Sequence, residues 1–199
     1  IVGYDDVGYR FHGHGADVDT PARAWNTLGH SDMGMLVVHS VKPGLATEDE
    51  IAVREALSFA VQFGRSRDGL FDNYTSGPEG FSVWANALET GQANGFGVAY
   101  NAVVWAECRH YAVEFLKSVV ARGVLSRDEL QDAREAYETS HQALQEISEL
   151  FPFFGHQSDH VKDEGRIKKA VELLYHVRDA EERALHTFEE IIASEVVVG

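Results

Sequence analysis

Two short signatures constrain this chain more firmly than any other feature. Thr47 stands three residues before Glu50, and Ser126 three before Glu129; each pair opens a run of apolar residues at helical spacing. In such a pair the hydroxyl accepts from the N–H three residues on, while the glutamate reaches back to the first N–H, which marks a helix start. After Thr47 the apolar positions Val53, Leu57 and Ala60 run to Gly64. After Ser126, Leu130, Ala133, Tyr137, His141 and Leu144 form one stripe to Phe151, where Pro152 and Gly155 break the chain. Recurrence near 3.6 residues is the pattern of a helix with one buried face.

The rest of the chain reads in the same terms. From Val98 to Ala121 the sequence is apolar almost all round in its first half, which predicts a central helix ended by Gly123. Thr20 and Pro21 supply a cap and a favoured first residue for a helix over 21–41, stopped by Lys42-Pro43-Gly44. Residues 157–195 carry Ile167, Val171, Leu174, Leu185, Phe188 and Ile192 at near-heptad spacing, interrupted by Arg178 and Glu181, so they form one long helix or two joined near 178. Residues 1–19 form a glycine-rich arm in which Val2 and Tyr4, then Tyr9 and Phe11, alternate about a turn as a short β-hairpin would. Residues 65–97 hold Asp68-Gly69 and Ser76-Gly77-Pro78 and predict a long loop with one helical turn near 82–88. The expected fold is an all-α bundle of five to six helices, forming a single domain over residues 1–199.

Charge narrows the partners. The 199 residues carry 32 acidic and 17 basic side chains, a net −15, which repels phosphate backbones and anionic membrane surfaces, so neither nucleic acid nor a membrane is expected. No stretch reaches the roughly 18 apolar residues of a spanning helix, and no basic region and apolar run open the chain as a signal peptide would. The single cysteine, Cys108, sits in the apolar helix as an inert thiol and makes no internal disulfide; a soluble cytoplasmic protein is the default expectation.

The sharpest chemical pattern is a pair of E-x-x-H motifs, Glu107 with His110 and Glu138 with His141. Residues three apart share a helix face, so each motif offers a carboxylate and an imidazole to one metal. Folding the two helices about the turn near residue 124 brings Glu107 level with His141 and His110 level with Glu138. Two further carboxylates would complete such a site, Glu55 and either Glu181 or Glu182, with Glu182 preferred. This set is similar to the ferritin-like carboxylate-bridged proteins, and the likeness implies a di-metal centre holding Fe, Mn or Zn. The ordinary reading is a solvated Arg134–Glu138 ion pair and a core-facing His110.

A second set lies at His156 and His160, one helical turn apart, with Glu164 a turn beyond. Together with His30 it resembles the three-histidine metal site of the DinB-like bundles. His12 and His14 in the arm form a weaker pair near Asp17 and Asp19.

Two local stretches resemble hydrolases. Ile1-Val2-Gly3-Tyr4-Asp5-Asp6 resembles the hairpin strand of papain-like peptidases of the bacteriocin-processing kind. Gly95-Phe96-Gly97-Val98 through Asn101-Ala102, with Trp105 and Arg109, is similar to a helix of the (α/α)-barrel glycosidases related to glycogen debranching, and Asp68-Gly69-Leu70 precedes it. In that likeness the loop with Asp72, Glu79, Trp84 and Glu89 would contact a small-molecule ligand.

Three functions follow as expectations. The first is a helical metalloprotein, an oxidoreductase or hydrolase with ligands Glu107, His110, Glu138, His141, Glu55 and Glu182 and the 65–97 loop over the site. The second is a non-catalytic module that self-associates as a homo-oligomer along the C-terminal heptads. The third is a piece of a larger hydrolase, an expectation that the opening at Ile1 rather than methionine also prompts.

Overall fold

A computed structural model of the chain describes residues 3–10, 22–27, 30, 42, 44, 47–66, 74–154 and 158–196. The backbone gathers into two compact units, Ile1–Ala46 and Thr47–Gly199.

In the first unit the alternating tyrosines form the expected hairpin, and it gains a third strand. Strands β1 (Gly3–Tyr4), β2 (Gly8–Arg10) and β3 (Arg23–Ala24) make an antiparallel sheet in that order, with Tyr4 opposite Tyr9 and Gly8 opposite Ala24. Asp5 holds the turn: its carboxylate accepts the Val7 and Gly8 N–H groups at 2.9 and 3.1 Å and the Arg10 guanidinium at 2.7 Å. The two backbone donors, ahead of Arg10, keep this carboxyl below its ordinary range. Gly8 is required by the close passage of β3, since a Cβ there would lie 1.7 Å from the Arg23 carbonyl oxygen. Where the sequence predicts the start of a helix over 21–41, residues 23–24 are strand and Trp25–Thr27 a single 3-10 turn. Pairing with β2 and the edge-on contact of Trp25 with Tyr9, ring centres 4.5 Å apart, hold this stretch against the hairpin, and Thr20 and Pro21 lie outside the described residues. Beyond Thr27 only His30 of that predicted helix is described, and it is not helical.

The second unit is a helical bundle: α1 (Asp49–Arg65), α2 (Pro78–Glu89), α3 (Gly95–Ala121), α4 (Arg127–Leu150) and α5 (Glu164–Val196), with a 3-10 turn at Ser158–Lys162. The capping box at Ser126 forms in full, with both reciprocal bonds. The one at Thr47 does not, because α1 starts a residue later with Glu48 at the cap and no side-chain bond. Residues 78–89 of the predicted loop are instead α2, with Pro78 in the first turn and Phe81, Ala85 and Leu88 buried at helical spacing. Gly77 begins it at φ 67°, and a Cβ there would meet the Gly64 carbonyl at 2.0 Å, so the chain passes directly over the end of α1.

α5 is one continuous helix of 33 residues and occupies the middle of the bundle, packed against α4, α2 and α1. The apolar α3, which its composition makes central, lies on the flank and packs chiefly on α4. Apolar character all round therefore leaves one side of α3 exposed.

The buried side chains fall into two clusters. One gathers Phe81 and Leu88 of α2, Val98 and Ala102 of α3, Leu144 and Ile147 of α4, and Leu174 and Val177 of α5. The other joins Val53 and Leu57 of α1, Val113 and Leu116 of α3, Leu130 of α4, and Phe188 of α5. Ile147 is wholly buried in the first. Ile147→Ala is expected to destabilise the chain by about 2–5 kcal/mol, read from the shift of a urea unfolding curve with unchanged slope.

Candidate functional site

Between the two clusters runs a layer of polar side chains. Arg109 of α3 donates to Glu181 of α5 from Nε at 2.5 Å and from Nη2 at 2.8 Å, a two-pronged pair whose side chains are 17% and 6% exposed. The guanidinium also lies over the Trp105 ring at 5.1 Å and the Tyr137 ring at 5.3 Å. Burial works against the charge on Arg109, and the adjacent Glu181 more than restores it, so the group stays cationic above its ordinary range. Burial and then the Glu181 charge push the Tyr137 phenol up to about 12, against a partial offset from Arg109. Ser140, one turn beyond Tyr137, is fully buried, and its Oγ has no hydrogen-bond partner among the described residues.

The predicted metal ligands separate. His110 and His141 do meet across the α3–α4 hairpin, with ring centres 5.4 Å apart. His141 Nδ1 lies 3.0 Å from the Ala106 carbonyl oxygen, which anchors the ring to α3. Glu107 is exposed, Glu138 lies 3.9 Å from Arg134, and Glu55 is exposed on α1. Glu182 points out to Arg65 at 2.5 Å, while Glu189 accepts from the same guanidinium at 2.6 and 3.0 Å. Glu182 lines a polar cleft of about 720 Å³ with Arg65, Glu79, Arg178 and Asp179, away from the histidine pair. Adjacent positions on a helix diverge by about 100°, which is why Glu181 turns inward and Glu182 outward. Among the described residues no three His, Cys, Asp or Glu side chains converge to hold a metal ion.

Of the second set, His160 sits half-buried in the 3-10 turn and Glu164 is exposed in the first turn of α5. His30 is exposed and belongs to the first unit; His156, like His12, His14, Asp17 and Asp19, lies outside the described residues. Trp105 and Arg109, which carry the likeness to the (α/α)-barrel glycosidases, are committed to the interhelical layer. Glu79, Trp84 and Glu89 lie on α2 rather than in a loop, and Asp68 and Asp72 fall outside the described residues. Cys108, expected as an inert thiol in the apolar helix, lies on α3 and is exposed.

A second feature was not predicted. Along the outer side of α3, Phe96, Tyr100, Val103, Tyr111 and Phe115 are all exposed, at 51, 49, 37, 62 and 36%. Phe153, after α4, packs on both Phe96 and Tyr100, and Phe154 beside it extends the aromatic surface. The signal was present in the sequence as large apolar residues recurring on the side of α3 that also carries Glu107 and Glu114.

The chain matches no protein-family model, and neither the curated proteins nor the solved structures contain a significant match to it.

Two outcomes test the polar layer. Glu181→Ala is expected to destabilise by about 3–5 kcal/mol because it strands a buried guanidinium, whereas Arg109→Leu with Glu181→Leu loses much less, as a double-mutant cycle in urea would show. The raised Tyr137 phenol makes the folded state hold a proton that the unfolded chain releases above pH 10. Its stabilising contribution is therefore complete below pH 10 and lost as pH rises toward about 12, a change of up to about 3 kcal/mol that Tyr137→Phe should remove from the stability–pH profile.

Proposed function

We propose that the helical unit is a self-associating module and that the outer side of α3 is its contact surface. The observation that carries this reading is the exposed stripe of Phe96, Tyr100, Val103, Tyr111 and Phe115. Apolar patches of several hundred Å² on a soluble chain are characteristic of contact sites. Each large aromatic side chain carries about 150–250 Å², so at these exposures the stripe amounts to roughly 500 Å². With the neighbouring Phe153 and Phe154 it approaches the ~800 Å² per partner of a standard interface.

The spacing supports a second copy as the occupant. A two-fold axis crossing α3 between Trp105 and Ala106 sets two antiparallel copies of the helix side by side. Phe96 then lies level with Phe115 of the second copy, Tyr100 with its Tyr111, and Val103 with its Cys108. An isologous contact requires this kind of self-complementarity. The near-heptad residues of α5 do not serve, because Leu185 is 4% exposed and would sit against any side chain placed at Gly64. The net charge of −15 opposes the contact, so association should tighten as salt screens it.

Sedimentation equilibrium at tens of micromolar is expected to give a dimer that strengthens with salt, and Tyr100→Asp should give a monomer with an unchanged circular-dichroism spectrum. A wild-type monomer at every concentration and salt would refute the reading.

A further inference from the structure

We infer that His110 and His141 together bind one transition-metal ion of the zinc class, bridging α3 and α4 on the outside of the bundle. The anchoring bond of His141 sets its chemistry. A carbonyl oxygen only accepts, so the contact of Nδ1 with Ala106 at 3.0 Å assigns the ring proton to Nδ1 and leaves a lone pair on Nε2. Histidine ligands commonly have this second partner, which fixes both tautomer and orientation. The Ala106 carbonyl also belongs to the helical turn that closes on His110, so the anchor of one ring and the backbone of the other are a single piece of structure.

The separation of the rings fits a shared ion. Metal–nitrogen distances near 2.05 Å, with each ring centre about 1.1 Å further out, put two ring centres about 5.2 Å apart at a tetrahedral angle. The observed separation of 5.4 Å matches this value. His110 is exposed and packs edge-on to Tyr111, ring centres 5.2 Å apart, which leaves the ion open to solvent on one side. Glu107, three residues before His110 and exposed, makes this side of α3 favourable for a cation, while Glu114, four residues after it, is paired with Lys117 at 2.9 Å. With two imidazoles from the protein and water in the remaining positions, the site suits zinc, nickel or copper over magnesium, calcium or manganese, whose preferred ligands are oxygens.

The test is calorimetric titration of zinc chloride into the full chain without an affinity tag. Wild type is expected to bind one ion that His110→Ala weakens at least tenfold and His160→Ala leaves in place. Because His110 is exposed, its replacement should keep the fold. The zinc-dependent rise in melting temperature should disappear with it, while His141→Ala should lose the ion together with some stability from the Ala106 contact. Titration of Tyr100→Asp separates this site from self-association: binding retained in a monomer places the ion within one chain, and binding lost there points to a site between copies and overturns the inference. Zinc binding by His110→Ala equal to wild type, or no binding by wild type, also overturns it.

Discussion

The pair between Arg109 and Glu181 is the constraint around which the helical unit is arranged. It joins α3 to α5 with two hydrogen bonds at 2.5 and 2.8 Å in a largely dehydrated setting. Sliding either helix by one turn would bury a guanidinium and a carboxylate without partners, at a penalty of several kcal/mol each. The aromatic rings of Trp105 and Tyr137 close over the cation and tie α4 into the same layer. Register among three helices is thereby fixed at one level, and the apolar clusters on either side pack outward from it.

That arrangement explains why the bundle has a polar waist and two apolar ends. Interactions at the surface are of a different order: Arg65 with Glu182 and Glu189, Arg122 with Asp49 and Lys169 with Glu146 link helices where water competes for them. Outside the waist, the α3–α4 hairpin carries His110 and His141 at its side and the aromatic stripe along its outer surface. Both follow from α3 lying on the flank. A helix enclosed on all sides would have offered neither.

The sequence was most legible where interactions are local. The box at Ser126 formed because both of its bonds lie within four residues, and the hairpin at Tyr4 and Tyr9 formed because its turn is closed by Asp5 alone. Local signals failed where distant packing competed with them. Arg23 and Ala24 pair with the hairpin and Trp25 opens only a single 3-10 turn, and residues 78–89 fold as α2 because α5 offers Phe81, Ala85 and Leu88 a surface to cover. The E-x-x-H motifs were expected to pair Glu107 with His141 and His110 with Glu138; in the fold the two imidazoles meet each other, while Glu107 is exposed on α3 and Glu138 faces Arg134.

By itself, then, the sequence determined the helical class, most helix limits after residue 98, the N-terminal hairpin and the strongly acidic surface, because hydrophobic period, caps and charge are properties of short segments. Tertiary structure decided which helix became the centre, which of Glu181 and Glu182 turned inward, and that α3 kept an exposed aromatic side. Those outcomes depend on how apolar faces of similar strength compete for one interior. A periodicity records that a face exists, and only the packed bundle determines what it meets.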